Sequence, residues 1–301
     1  MWRYARRLIE GFRDRAEVRR CVHDYRKWNF TIASNHADLA VVIHLFYPEL
    51  WSNIENHLKR IDNPFDLFVT LPEHNRCFEP TLKRFKPDVT TLVAPNRGRD
   101  VLPFIMLADR LHAGGYRSML KLHSKKSTHW DGGDKWFNEL LDTLLPARRE
   151  VIKDILKALR RPKTGLVGPK GHYYDLRVNY PANRAQLGSI LRQTLSERSS
   201  LEIDRRPEEY GFFGGSMFWI NLESIEGILK QHYGPDKFQG ERGQIDGTFA
   251  HALERAFNIV PEANGMDFYQ SSPLGVERIR YDAGMIPEWS DLYRPDQGDP
   301  L

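Results

Sequence analysis

LAVVIHLF, residues 39–46, is an apolar run broken by a single polar residue, His44. A run this short, apolar at both odd and even positions, marks a strand buried on both faces, as in a parallel sheet. The chain after it keeps alternating. A helix is expected over 48–60, with Leu50, Ile54 and Leu58 on one face. DLFVTLP (66–72) is a second strand, 78–86 a short helix, and VTTLVAP (89–95) a third strand. A Gly-containing loop, NRGRD (96–100), leads into a helix over 101–114, and SMLKLHS (118–124) is a fourth strand. Strand and helix in strict alternation predict an α/β fold with a mostly parallel, doubly wound, Rossmann-like sheet. Further on, 136–160 reads as mostly helical, GLVGP (165–169) as a short strand and 182–198 as a helix. GFFGGSMFWI (211–220) is a Gly-rich turn entering an aromatic strand, with helices over 221–232 and 244–257.

Upstream, residues 2–28 read as one basic amphipathic helix, with Leu8, Ile9, Phe12, Ala16 and Cys21 at loose helical spacing. The expected organisation is a helical arm over 1–34 and one domain over 35–273. That domain is read as two halves, at about 35–130 and about 131–273. A polar tail, 274–301, is expected to wrap the surface or stay loose. The arm is read as packing on the body, on a partner subunit, or on an anionic membrane surface.

The 301 residues carry 41% hydrophobic and 28% charged side chains and a formal net charge of +4, ordinary for a globular protein. No run reaches the roughly 18 apolar residues of a membrane span. Arginines interrupt the first twenty residues where a leader peptide would be apolar. A cytoplasmic protein, peripheral at most to the inner membrane, is expected. Two cysteines, Cys21 and Cys77, make neither a disulfide framework nor a zinc site. P-loop, HExxH, GxSxG and post-strand GxGxxG motifs are all absent. ATPase, metalloprotease, α/β-hydrolase and dehydrogenase readings therefore lose ground.

Four places hold chemistry. In NRGRD, Arg97 and Arg99 can meet a diphosphate, and Asp100 can cap the next helix or bind a sugar hydroxyl. In KLHSKKS, His123, Lys125 and Lys126 sit at a strand end, where open α/β sheets bind ligands. In FFGGSMFWI, Gly214 and Gly215 admit close backbone approach, and Phe218 and Trp219 either stack on a sugar or fill the core. In GQIDGTFAHALER, Asp246 near a helix start is a general base or an N-cap.

These pieces, in this order, resemble the rhamnan synthesis protein F family of polysaccharide glycosyltransferases: NRGRDVLPF, GGYRSMLKLHSKKS, GLVGP, FFGGSMFWI and GQIDGTFAHALER, across about 41–265. The resemblance implies a glycosyltransferase A type fold. It implies a sugar moved from a nucleotide-sugar donor, dTDP-rhamnose first and GDP- or UDP-sugars next, to a glycan or lipid-linked glycan acceptor. Such enzymes often hold a divalent metal on an Asp-x-Asp motif at the end of the fourth strand. Here that place reads His123-Ser124-Lys125. The expectation is thus a metal-independent, inverting enzyme in which Arg99, His123, Lys125 and Lys126 neutralise the leaving diphosphate. The resemblance makes Asp246 the base. His44, Tyr47, Asn96 and Asp100 are expected to contact donor nucleotide or sugar, and Gly214, Gly215, Phe218 and Trp219 the acceptor. No metal and no nucleic acid is expected. The missing carboxylates leave open a carbohydrate-binding or scaffolding module without catalysis, and the basic arm leaves open an anion- or nucleic-acid-binding protein.

Overall fold

The computed structural model describes residues 2–124 and 133–279. Its strands are β1 (Leu39–His44), β2 (Phe65–Leu71), β3 (Thr90–Val93), β4 (Ser118–His123), β5 (Thr164–Pro169), β6 (Tyr173–Asp175), β7 (Gly211–Phe213), β8 (Phe218–Asn221), β9 (Asp267–Ser272) and β10 (Gly275–Arg278). Its helices are α1 (Trp2–Arg26), α2 (Trp51–Leu58), α3 (Glu79–Phe85), α4 (Val101–Ala113), α5 (Gly133–Leu144), α6 (Arg149–Leu159), α7 (Tyr180–Thr194), α8 (Glu197–Arg205), α9 (Glu226–Leu229) and α10 (Phe249–Ala263).

The main sheet runs β10-β9-β5-β8-β4-β1-β2-β3, and β6 and β7 form a separate two-stranded antiparallel sheet. β1, β2, β3 and β4 are mutually parallel, β8 is antiparallel to β4 and β5, and β9 is parallel to β5. The fold is thus mixed α/β with a mostly parallel sheet. The expected halves share it, because β8 from the second half is seated against β4 from the first. The sheet also passes the boundary expected at 273: β10 pairs with β9. Gly275–Arg278 are too polar to announce a strand, and an edge position needs no apolar face.

The apolar run of β1 is explained by its two neighbours in depth. Val42 packs in one core with Phe104 of α4, Leu187 of α7 and Phe257 of α10. Val41 and Ile43 pack in the other, with Ile54 of α2, Leu140 of α5 and Ile155 of α6. The helix expected over 136–160 is two, since Pro146 breaks it. That over 182–198 ends at Thr194, and Ser196 caps α8 by accepting the Ser199 N–H at 3.1 Å.

The basic helix is not a free arm along its C-terminal half. Cys21, Tyr25 and Trp28 are buried. The Trp28 indole donates to the Val93 carbonyl at 2.7 Å. Arg97, 1% exposed, donates to Pro235 O at 2.9 Å, Asp14 at 2.9 Å and Glu17 at 3.2 Å. The expectation that Arg97 meets a diphosphate is therefore corrected: it ties α1 to the body. Among the described residues no helix is long and apolar enough to cross a membrane.

Candidate functional site

From β1 the chain moves outward to β2 and β3, then returns to place β4 on the other flank of β1. That reversal is a topological switch point, and a crevice opens outside the carboxyl ends of the two strands. The last residues of β1 and β4, His44 and His123, are register partners at its floor. A cavity of about 300 Å³ lies there, and seven of the expected residues line it: His44, Tyr47, Asn96, Arg99, Asp100, His123 and Gly215.

Asp100 stands in the N-cap position of α4, yet its side chain makes no cap hydrogen bond. It takes an ion pair from the buried Lys121 and lies 3.5 Å from His123 Nδ1. Burial works to raise the Asp100 carboxyl, but His123 and Lys121 outweigh it and hold it well below the usual carboxylate range. Lys121 also donates to the Ser216 carbonyl at 2.5 Å and hydroxyl at 2.8 Å. This clasp explains the Gly-Gly-Ser turn. Gly215 and Ser216 both have positive φ, 87° and 54°, which folds the Ser216 oxygens back onto the ammonium. Burial pushes the His44 imidazole down to about 4, so it is neutral near pH 7. Its Nδ1 lies 2.9 Å from the Thr70 hydroxyl.

Arg99 is itself left-handed at φ 55°. Its guanidinium meets His251 Nε2 at 2.9 Å, the Gln244 carbonyl, and Glu241 at 3.5 Å. Sequence reasoning assigned no role to Lys121, Ser216, His251 or Glu254. Lys121 carried a readable signal, a lysine inside an otherwise apolar strand. His251 and Glu254 had none, since any helix N-terminus offers such residues.

The rest of the expected set is scattered. Asp246 does not line the cavity. α10 starts three residues after it, with Thr248 as N-cap, so Asp246 is not the cap either. Its carboxylate accepts from Asn183 Nδ2 at 2.9 and 3.0 Å, pairs with Arg255 at 3.2 Å, and lies 3.8 Å from His251 Nδ1. Phe218 and Trp219 are fully buried. Phe218 packs edge-on against Phe104, and the Trp219 indole donates to Leu144 O at 3.0 Å. They present no face to a sugar, and the acceptor expectation for both gives way to core packing. Gly214 lies off the cavity, where an added Cβ would meet the Tyr174 ring at 2.4 Å. Lys125 and Lys126 lie outside the described residues.

Among the described residues no three His, Cys, Asp or Glu side chains are grouped to hold a metal ion. Hard divalent cations ask for several oxygen ligands. His123-Ser124 supplies one side-chain oxygen and one imidazole at that place.

A family model described as rhamnan synthesis protein F matches residues 21–266. The chain belongs to that family. The match begins at Cys21, the first buried residue of α1 among the described side chains, and covers the whole crevice. The rhamnan synthesis protein F family is one of polysaccharide synthesis. The chain is also 32% identical over 229 residues to "Uncharacterized protein WxcX" from two strains of Xanthomonas campestris pv. campestris. That alignment covers 75% of this chain and 31% of the relative, so the chain spans under a third of the length of the curated relatives it matches.

Proposed function

We propose that this chain is a glycosyltransferase that moves a sugar, rhamnose first, from a nucleotide-sugar donor to a growing polysaccharide. The observation that carries the reading is the switch-point crevice. Its walls bring Arg99, His123 and the first turn of α10 around one cavity. A guanidinium and a helix N-terminus together suit the negative charge that develops on a departing nucleoside diphosphate. Asn96 and Tyr47 are assigned to the donor nucleoside and sugar. The lysines after β4, Lys125 and Lys126, are assigned to its phosphates. On this reading no divalent metal is required. The acceptor is a glycan or lipid-linked glycan entering on the Gly215 side.

Asp246 is proposed as the base that takes the acceptor hydroxyl proton in an inverting displacement. Its clamp by Asn183 and Arg255 favours a second reading, a strut for the loop before α10. Asp246→Asn separates the two. A base loses turnover by orders of magnitude with donor affinity nearly intact, whereas a strut loses affinity and turnover together.

The whole proposal is tested by thermal shift and nucleotide release against dTDP-, UDP- and GDP-sugars, with and without EDTA. Selective stabilisation by one donor in EDTA, with slow release of its nucleotide, is expected. Activity that collapses in EDTA would end the metal-free assignment. No shift with any donor would favour a carbohydrate-binding module without catalysis.

A further inference from the structure

His251 sits against both the Arg99 guanidinium and the N-cap residue of α10, and simple valence fixes its proton. Arg99 Nη1 lies 2.9 Å from His251 Nε2. A guanidinium has donors only, so Nε2 must offer its lone pair. A neutral imidazole carries one proton, which then belongs on Nδ1, where the Thr248 hydroxyl accepts it at 2.8 Å. The Thr248 N–H, 3.3 Å from the same Nδ1, is the longer contact and the one left without that lone pair. The uncommon Nδ1–H tautomer is thus imposed from the Arg99 side, at the expense of the longer capping contact from the Thr248 N–H.

Burial, helped by two arginines, keeps the ring neutral. Burial, Arg99 and Arg255 push it down to about 4 against the opposing pull of Asp246 and Asp100. Meanwhile Arg99 has little choice of position. Its backbone is left-handed, its Nη2 is taken by the Gln244 carbonyl and its Nε side faces Glu241. Only Nη1 is aimed by a group that itself lines the cavity.

We propose that His251 is a positioning residue: as an Nδ1–H imidazole capped by Thr248, it holds the Arg99 guanidinium in the crevice to receive the donor's diphosphate. The assignment of Arg99 to a diphosphate rests on the transferase reading above; the tautomer does not. His251 then contributes to nucleotide affinity only through Arg99.

The test is a double-mutant cycle on dTDP binding in EDTA by calorimetry, together with imidazole nitrogen shifts of histidine-labelled protein. Arg99→Ala is expected to weaken dTDP about tenfold to a hundredfold, the worth of a charged hydrogen bond. His251→Ala should weaken it roughly threefold to tenfold, and should cost nothing further in the Arg99→Ala background. His251→Gln, whose amide oxygen can take the place of Nε2, should return to within about twofold of wild type. Losses that add across the cycle, or no rescue by Gln, would overturn the positioning role. The wild-type spectrum should show Nδ1–H, shifting towards Nε2–H in Arg99→Ala; Nε2–H in the wild type would also overturn it. If dTDP, UDP and GDP all fail to bind while the Nδ1–H signal is present, the diphosphate assignment falls and the transferase reading with it.

Discussion

Lys121 is 1% exposed, and its ammonium is met by Asp100 and by two oxygens of Ser216. Phe104 and Phe218 lie 5.3 and 5.7 Å from it. Such a charge is tolerable only while its partner stays. Lys121→Met is expected to destabilise the fold by about 3–5 kcal/mol, because it leaves the Asp100 carboxylate buried without its main counterion. Adding Asp100→Asn to Lys121→Met should recover part of that loss in urea unfolding, while either single variant abolishes nucleotide binding. Glu262 is the opposite case. Burial pushes it up to about 7, although the Tyr173 hydroxyl donates to it at 3.3 Å. A folded-state value above the unfolded one means full stability below about pH 4.5, lost as pH rises through about 7. Glu262→Gln should therefore raise stability at pH 8 by roughly 1–2 kcal/mol, discounted for partial exposure, and change little at pH 4. Equal effects at both pH values would contradict it.

The two elements that shape the crevice walls are short and over-determined. Gly98, between Arg97 and Arg99, has φ 69°, and a Cβ there would lie 2.6 Å from both Leu102 and Phe238. Gly98→Ala combines left-handed strain with overpacking, for an expected cost of roughly 2–4 kcal/mol by thermal or urea unfolding. It should also turn the two arginines, which point opposite ways: Arg97 to α1 and Arg99 to the cavity. Nothing in NRGRD distinguishes their directions, because a turn's handedness is set by what packs on it. The late helix shows the same limit. Apolar spacing found it, but its start moved from 244 to Phe249, since the Thr248 side chain accepts the His251 N–H, Gln239 accepts the Phe249 N–H, and Asp246 is held instead by Asn183, 63 residues away. An aromatic strand, likewise, reads the same whether its rings face a sugar or the core. Phe218 and Trp219 went inside because helices cover β8 on both sides.

At the scale of the molecule, α1 is packed and hydrogen-bonded onto the edge of the sheet that ends in β3. Trp28→Ala is expected to cost about 3–5 kcal/mol, as for other buried large-to-small changes. Removing residues 1–28 would in addition leave Arg97 buried without Asp14 and Glu17. A truncated chain that still unfolds cooperatively at the wild-type midpoint would contradict this account. Acid should also weaken the whole fold. His44 and His251 are both held down to about 4, so their neutral forms contribute fully above about pH 6.5 and the contribution is lost as pH falls towards 4. Linkage puts the loss at up to roughly 3 kcal/mol for each. What the sequence by itself determined is what repeats along the chain: the β1 run, the alternation of strand and helix, and hence a parallel sheet with a ligand crevice at its strand ends. Those follow from local periodicity and burial on both faces. Which side chains share that crevice was decided by tertiary structure alone. His44, Asp100, Ser216 and His251 line it from four separate segments, Lys121 clasps Asp100 and Ser216 from a fifth, and only the pairing of β1 with β4 and the return of α10 bring them together.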